Sequence, residues 1–96
     1  MKNINFKKAI EVLGYSIVKY AKGYNYRTAF ATDASGALFY FHIEDLRDKT
    51  PALYYRTAKS TSDYTGGINR MDMRDKLAAM GYQVIEPRRA CDFNCN

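Results

Sequence analysis

The sequence predicts an α+β domain: a two-layer sandwich in which a mostly antiparallel sheet of four or five strands carries two helices on one face. Two segments show the apolar spacing of amphipathic helices, and short runs rich in β-branched and aromatic residues stand between and after them. The connections between the first three runs are too short for crossover helices, which favours an antiparallel meander. The predicted order is α-β-β-β-β-α-β, in one domain over residues 1–87 with a flexible C-terminal tail over 88–96.

The first helix is predicted immediately after Asn5, a residue type that caps helix N-termini with its side-chain oxygen. Phe6, Ile10 and Leu13 follow at the spacing of one helical face, so they form an apolar stripe that needs a sheet to cover it. Gly14 accommodates the left-handed backbone that commonly ends a helix.

Three strands are predicted next, over residues 15–21, 24–32 and 37–43. Lys22-Gly23 joins the first two of these strands. Residues 33–36 read Asp-Ala-Ser-Gly, a strong turn signal because Asp can bond its own backbone and Gly tolerates positive φ. The second and third strands are therefore predicted to form a hairpin.

The second half of the sequence predicts a further strand over 53–58, a polar loop over 59–69 that contains Gly66-Gly67, and a second helix. This helix is capped by Asn69 with Asp72 at its third position, a variant of the capping box. Its apolar stripe is formed by Met73, Leu77 and Met80. Gly81 ends the helix, and residues 82–86 form the last short strand before Pro87.

Charge is distributed unevenly along the chain. Residues 1–32 contain six basic side chains and one acidic side chain, which is the whole net charge of +5, whereas residues 33–96 contain nine of each. A one-sided basic region attracts polyanions such as nucleic acids, although the same residues also serve simply to keep a surface solvated. We find no apolar run long enough to span a membrane and no apolar N-terminal leader, which indicates a cytoplasmic protein that does not interact with membranes.

Neither a metal nor a cofactor is expected. The two cysteines, Cys91 and Cys95, fall within the last six residues and cannot staple the body of the fold. A zinc site needs about four ligands, and the sole histidine, His42, is distant from both cysteines in sequence. The sequence also lacks the Gly-Lys-Ser/Thr ending of a phosphate-binding loop.

Alternation along the third predicted strand divides its side chains between the two faces of the sheet. We expect Phe39, Phe41 and Ile43 to face the helices. Leu38, Tyr40 and His42 then project from the other face. On the fourth strand Tyr54 and Arg56 share a side, and on the second strand Arg27 shares a side with two alanines, but register is not readable from the sequence.

Basic and aromatic residues interleave on and beside the predicted strands. The candidate nucleic-acid-binding residues are Lys19, Lys22, Tyr24, Tyr26, Arg27 and Arg56. Rings stack on unpaired bases and cations meet phosphates, so this mixture on a sheet predicts a binding surface for RNA or single-stranded DNA. A purely structural role accounts for the same residue types, because Tyr favours strands and Lys solvates sheet edges.

A second hypothesis is a protein-interaction module or a homodimer that associates through the Tyr-rich sheet face or an exposed edge strand, since Tyr and Arg also dominate protein interfaces. An enzyme is not expected. His42 is the single candidate acid or base that titrates near neutral pH, and no motif places a Ser, a Cys or a second His beside it.

Residues 10–23, IEVLGYSIVKYAKG, resemble the start of the HicA-type RNA-cleaving toxins. These are small basic proteins whose α-β-β-β-α fold is related to double-stranded RNA-binding domains, so the resemblance implies a similar helix-and-sheet arrangement. Those toxins have a Gly-Ser-His segment with the catalytic His just after this point, whereas here Gly23 is followed by Tyr24-Asn25. The departure removes the inference of nuclease activity, and the shared fold is an analogy.

Overall fold

The computed structural model describes residues 1–48, 50–62 and 70–86. Within that part of the chain, strands and helices follow in the order β1 (Lys2–Ile4), α1 (Phe6–Val12), β2 (Ser16–Lys22), β3 (Tyr26–Thr32), β4 (Leu38–Glu44), β5 (Ala52–Thr57), β6 (Met71–Asp72), α2 (Arg74–Ala79) and β7 (Tyr82–Val84). The predicted Gly66-Gly67 loop, the Asn69 cap, both cysteines and the tail over 88–96 lie outside the described residues.

Five strands form one antiparallel sheet in the order β2-β3-β4-β5-β6, which confirms the predicted α+β class and the order of its elements. Two short strands were not predicted. β6 pairs with the end of β5, and β1 lies parallel to β7 in a separate two-stranded sheet. Two- and three-residue strands carry too little periodicity to be recognised, and β1 finds its partner only at the far end of the chain.

The β3–β4 hairpin forms at the predicted turn. The Asp33 carboxylate accepts hydrogen bonds from the backbone N–H groups of Ser35 and Ala37, at 2.9 and 3.0 Å, and from the Ser35 hydroxyl at 2.7 Å. Gly36 has a φ of 89°, a conformation that is open to glycine at little cost. The resulting register pairs Phe30 with Tyr40 and decides which side chains meet on each face.

Helix α1 begins as predicted. The side-chain oxygen of Asn5 accepts a hydrogen bond from the Lys8 backbone N–H at 2.8 Å. Phe6 and Ile10 are fully buried, and Leu13 packs at the edge of the core. Gly14, with a φ of 97°, turns the chain from the helix into β2.

Helix α2 differs from the prediction at both ends. The Asp72 carboxylate accepts a hydrogen bond from the Arg74 backbone N–H at 3.0 Å. Asp72 was predicted to lie inside the first turn of the helix, but it precedes the helix and binds that turn from outside. The reason is that Met71 and Asp72 are held extended by pairing with β5. Met73 and Leu77 are buried, but Met80 lies beyond the last helical turn and is 50% exposed, so its predicted place in the apolar stripe is wrong.

Both helices pack on one side of the five-stranded sheet, which we call the covered face. Its strand residues in the core are Ala29, Ala31, Phe41, Ile43, Leu53 and Tyr55. They meet Phe6 and Ile10 from α1 and Leu77 from α2 in one apolar cluster, which confirms that Phe41 and Ile43 face the helices. No helix among the described residues is long and apolar enough to cross a membrane.

Candidate functional site

The other side of the sheet, which we call the open face, carries a mixture of polar and aromatic side chains. Strand pairing places these residues on it: Lys19 and Ala21 of β2, Tyr26, Thr28 and Phe30 of β3, Tyr40, His42 and Glu44 of β4, and Tyr54 and Arg56 of β5. The predicted positions of Tyr40 and His42 on the side away from the helices are confirmed.

A cleft of about 820 Å³ opens on this face. Ala21 pairs with Thr28, and Thr28 pairs with His42, so these three residues form one row across the sheet. The two small side chains make this row a depression, and all three residues line the cleft. The floor of the cleft is therefore set by side-chain size along a single row.

Larger side chains stand in the rows on either side of that floor. Tyr26 and Glu44, which are Cα partners across β3 and β4, form one rim. The opposite wall contains Phe30, Tyr40 and Arg56, which are also neighbours across the sheet. A flat ligand entering the cleft would therefore meet an aromatic ring on each side.

The Tyr26 ring is held in place by the residue on which it lies. A Cβ atom on Gly23 would come within 2.1 Å of the Tyr26 ring carbon Cε2, so the ring occupies the space that a side chain at Gly23 would need. The Gly23 backbone N–H donates to the Tyr26 carbonyl at 2.9 Å and closes the turn beneath the ring. Tyr26 is still 46% exposed, so its ring is supported from below and open to solvent.

The opposite wall is more deeply buried. The rings of Phe30 and Tyr40 lie 5.1 Å apart, and the Arg56 guanidinium lies over the Tyr40 ring at 4.7 Å. Arg56 also donates to the Thr57 carbonyl at 3.0 Å. Stacking and hydrogen bonding fix this guanidinium, so Arg56 contributes shape and positive potential to the wall of the cleft.

His42 and Glu44 place a titratable pair between the floor and the rim. The His42 Nε2 lies 3.7 Å from the Glu44 Oε1, which is beyond hydrogen-bonding distance, and this nitrogen is buried without a hydrogen-bond partner among the described residues. Burial lowers the pKa of His42; Glu44 opposes that effect, and Arg70 and Arg56 add to it. The imidazole is therefore neutral at neutral pH.

Exposed cations lie at the cleft and along both sides of the edge strand β2. Lys19 and Arg70 line the cleft itself. On the other side of β2, the Lys7 ammonium lies 4.8 Å from the centre of the Tyr20 ring, and Lys22 shares that side of the strand with Tyr20. We call Lys7, Lys19 and Lys22 the basic edge.

A β-bulge in β2 puts Lys19 on the open face. The pairing shifts between Ile17, which pairs with Ala31 on the covered side, and Lys19, which pairs with Phe30 on the open side. In a strand without a bulge, alternation would place Ile17 and Lys19, which are two residues apart, on the same side. The bulge therefore brings a cation to the cleft while the core contact of Ile17 is kept.

The structure separates the six residues predicted to bind nucleic acid. Lys19, Tyr26 and Arg56 line the cleft, and Lys22 lies on the basic edge. Tyr24 lies in the β2–β3 turn, where its hydroxyl accepts a hydrogen bond from Arg47 at 2.6 Å.

Arg27 lies on the opposite face from Lys19, Tyr26 and Arg56 and does not line the cleft. It follows Tyr26 directly, so strand alternation directs its side chain to the covered face, where it is 2% exposed. Its Nε lies 3.6 Å from Glu86 Oε2. The basic and aromatic residues that interleave in the sequence thus belong to two different faces.

Four further residues of the site were not identified from the sequence. Lys7 joins the basic edge only because α1 packs beside β2, and Arg70 reaches the cleft only through the fold of the chain. Thr28 and Glu44 carry no distinctive pattern of their own. Their role depends on the β3–β4 register, which pairs Thr28 with His42 and Glu44 with Tyr26.

No protein-family model, curated protein or solved structure matches this chain. The resemblance of residues 10–23 to HicA-type toxins therefore rests on those residues alone. Among the described residues, we also find no group of three or more His, Cys, Asp or Glu side chains that could hold a metal ion. Function must accordingly be argued from the cleft and its surroundings.

Proposed function

We propose that this protein is a non-enzymatic, cytoplasmic module that binds single-stranded RNA or DNA in the cleft of the open face. The observation that carries the proposal is the Tyr26 ring, which is supported by Gly23 and exposed at the rim of a cleft that Lys19 and Arg70 also line. An exposed ring beside cations provides stacking for a base and attraction for its phosphate.

The shape of the cleft favours a single strand over a duplex. Bases in a duplex are already stacked and paired, so a single ring at the rim of a cleft cannot reach their faces without unstacking them. An unpaired base has a free face and can enter between the Tyr26 rim and the wall formed by Phe30 and Tyr40. The floor residues Ala21 and Thr28 are small enough to leave room for it.

The basic edge gives the sugar-phosphate backbone a path outside the cleft. Lys19 points to the open face, whereas Lys7 and Lys22 lie on the other side of β2, so a strand following this edge meets positive charge on both sides. Each phosphate that is neutralised releases counterions, and for single strands the logarithm of the affinity falls with the logarithm of salt with a slope of about −0.7 per contact.

Fluorescence anisotropy with short labelled RNA and DNA oligonucleotides of mixed sequence, titrated at several salt concentrations, tests this proposal. We expect binding at low salt that weakens as salt is added. Tyr26→Ala should weaken binding about tenfold, because stacking on one base contributes roughly 1–3 kcal/mol. Tyr24→Ala is the matched control: this tyrosine is also exposed but is engaged with Arg47 outside the cleft.

Two further substitutions test the electrostatic part. Lys19→Gln should weaken binding and flatten its salt dependence, whereas Lys2→Gln removes the same charge from β1, outside the basic edge, and should have a smaller effect. The proposal is wrong if neither RNA nor DNA binds at low salt, or if Tyr26→Ala behaves like Tyr24→Ala.

The competing hypothesis of self-association through an edge strand is disfavoured by β2. The bulge at Val18 interrupts the hydrogen-bonding pattern of this edge, and Lys19 and Lys22 add charge to it. Bulges and lysines are the features that keep an edge strand from pairing with another chain. Light scattering distinguishes the two functions, because a stable dimer that does not respond to salt would support association.

A further inference from the structure

Glu44 is the acidic residue among the described residues that line the cleft. It is the Cα partner of Tyr26 across β3 and β4, so a carboxylate and an exposed ring stand side by side on one rim. The Glu44 side chain is 52% exposed, and its Oε1 lies 3.7 Å from the His42 Nε2. This carboxylate is thus available to a ligand in the cleft.

A carboxylate in this position opposes phosphate binding. It lies in a cleft whose other charged lining residues, Lys19, Arg56 and Arg70, are cationic, and it reduces the attraction that they provide. An ionised carboxylate only accepts hydrogen bonds, and its two oxygens accept them strongly from a pair of parallel N–H groups. In a site for nucleic acid, such donors are found on the edges of the bases.

We propose that the cleft selects guanine, stacked on Tyr26, with the base donating two hydrogen bonds from N1–H and the exocyclic amine to the carboxylate of Glu44. This inference rests on the proposed function of the cleft. Guanine presents these two donors next to each other on its Watson–Crick edge, which matches the two oxygens of one carboxylate.

The other bases fit this carboxylate less well. Adenine and cytosine each present one amino group beside a ring nitrogen that is an acceptor, so the second carboxylate oxygen would face a lone pair. Uracil and thymine present a single N–H between two carbonyl oxygens. Mismatched acceptors in a site built for donors cost binding, because neither group finds a partner once water is displaced.

The neighbouring His42 does not hold the Glu44 carboxylate. Its imidazole is neutral near pH 7, so it does not neutralise the charge of Glu44. The distance of 3.7 Å leaves the carboxylate oxygens free of a direct hydrogen bond from this ring. The Glu44 carboxylate is therefore available to accept hydrogen bonds from a base.

The test uses labelled oligouridine with one central position replaced by guanosine, inosine, adenosine or cytidine, measured by anisotropy on the full chain. We expect guanosine to bind about tenfold more tightly than adenosine, in the range of one bidentate contact to a base. Inosine, which keeps N1–H but lacks the amine, should fall between them.

Glu44→Gln should abolish the preference for guanosine and tighten the binding of oligouridine, because a negative charge has left the cleft. Glu11→Gln, which removes a carboxylate from α1 on the covered side, should keep the preference. Equal binding of all four oligonucleotides, or a preference that persists in Glu44→Gln, would overturn this inference and leave the proposed function standing. If none of them binds, the proposed function itself is wrong.

Discussion

The two faces of the sheet use the same kinds of side chain for different purposes. Each face carries a buried arginine and several aromatic rings. On the covered face the helices enclose these groups: the rings pack against one another, and the arginine is paired with a carboxylate. On the open face the corresponding rings stand beside a cleft, and the exposed cations Lys19 and Arg70 line it. Residue type therefore does not identify the functional face, but the surroundings of each residue do.

On the covered face, the guanidinium of Arg27 is engaged by groups of the protein itself. Its Nη1 donates to the carbonyl oxygens of Gly23 and Tyr26, both at 2.9 Å, and its Nε faces the Glu86 carboxylate. Glu86 in turn accepts a hydrogen bond from the Phe6 backbone N–H at 2.6 Å. This buried group of contacts joins the β2–β3 turn, the start of α1 and the segment after β7, so it stabilises the fold.

The largest difference between the faces should appear when a ring is removed from each. Phe41→Ala leaves a cavity at the centre of the covered face, where the ring is fully buried and stacked on Tyr55. We expect it to lower the free energy of unfolding by about 4 kcal/mol. Tyr26→Ala, on the open face, should change it by less than about 0.5 kcal/mol.

Urea denaturation followed by circular dichroism measures both values. If Tyr26→Ala were as destabilising as Phe41→Ala, the open face would be part of the core, and the contrast between the two faces would be lost.

Replacing one cation on each face should give the next largest contrast. Arg27→Met leaves the Glu86 carboxylate buried without its partner, and we expect a loss of about 3 kcal/mol, the usual cost of breaking a buried pair from one side. Lys19→Met on the open face should cost less than about 0.5 kcal/mol.

A double substitution separates charge from packing. Glu86→Gln removes the stranded charge but keeps an oxygen that can accept from the Phe6 N–H. Arg27→Met combined with Glu86→Gln should therefore be more stable than Arg27→Met alone. Equal or lower stability of the double variant would mean that the cost comes from lost packing or from the carbonyls of Gly23 and Tyr26.

The contrast between the faces also explains what the sequence could predict. Asn5, Gly14 and the Asp33 turn act on residues only a few positions away. Their effects can therefore be predicted from the local sequence, and the helix and strands that begin or end at them were predicted. Alternation placed Phe41 and His42 on opposite faces for the same reason.

Features that depend on distant pairing were not readable. Lys2 pairs with Tyr82, and the bulge at Val18 turns Lys19 toward Phe30. The interleaved cations and rings led to one predicted set that held Lys19, Tyr26 and Arg27. Lys19 and Tyr26 line the cleft, whereas Arg27 lies on the other face. The prediction could not separate them, because the sequence does not show which face the helices cover. Glu44 became a candidate only when the register put it beside Tyr26.

A smaller effect should appear in the dependence of stability on pH. Burial lowers the pKa of His42 in the folded protein below its usual 6.5. As pH falls below that value, the unfolded chain takes up a proton that the folded chain does not, so stability is lost until the folded pKa is reached. His42→Gln removes this component, and because His42 is the sole histidine, no other imidazole titrates there.

Urea denaturation at pH 7.5 and at successively lower pH down to about 5 measures this difference, since that range spans the ordinary histidine pKa. The wild-type protein should lose more stability than His42→Gln across it. Parallel profiles for the two proteins would mean that the imidazole of His42 is hydrated in solution and is not desolvated on the cleft floor.

A small effect on stability and a large effect on binding are expected from Gly23→Ala. The added Cβ would lie 2.1 Å from Cε2 of Tyr26, so the ring must move. Because the obstructing atom belongs to a side chain that is 46% exposed, the ring can turn toward solvent at little cost, and we expect a change in unfolding free energy within about 0.5 kcal/mol.

A ring that has left the rim can no longer stack on a base in the cleft. Gly23→Ala should therefore weaken oligonucleotide binding nearly as much as Tyr26→Ala, and the double variant should bind no more weakly than Tyr26→Ala alone, because both act through one ring. Full binding by Gly23→Ala would show that the support under Tyr26 is a detail of the turn and plays no part in recognition.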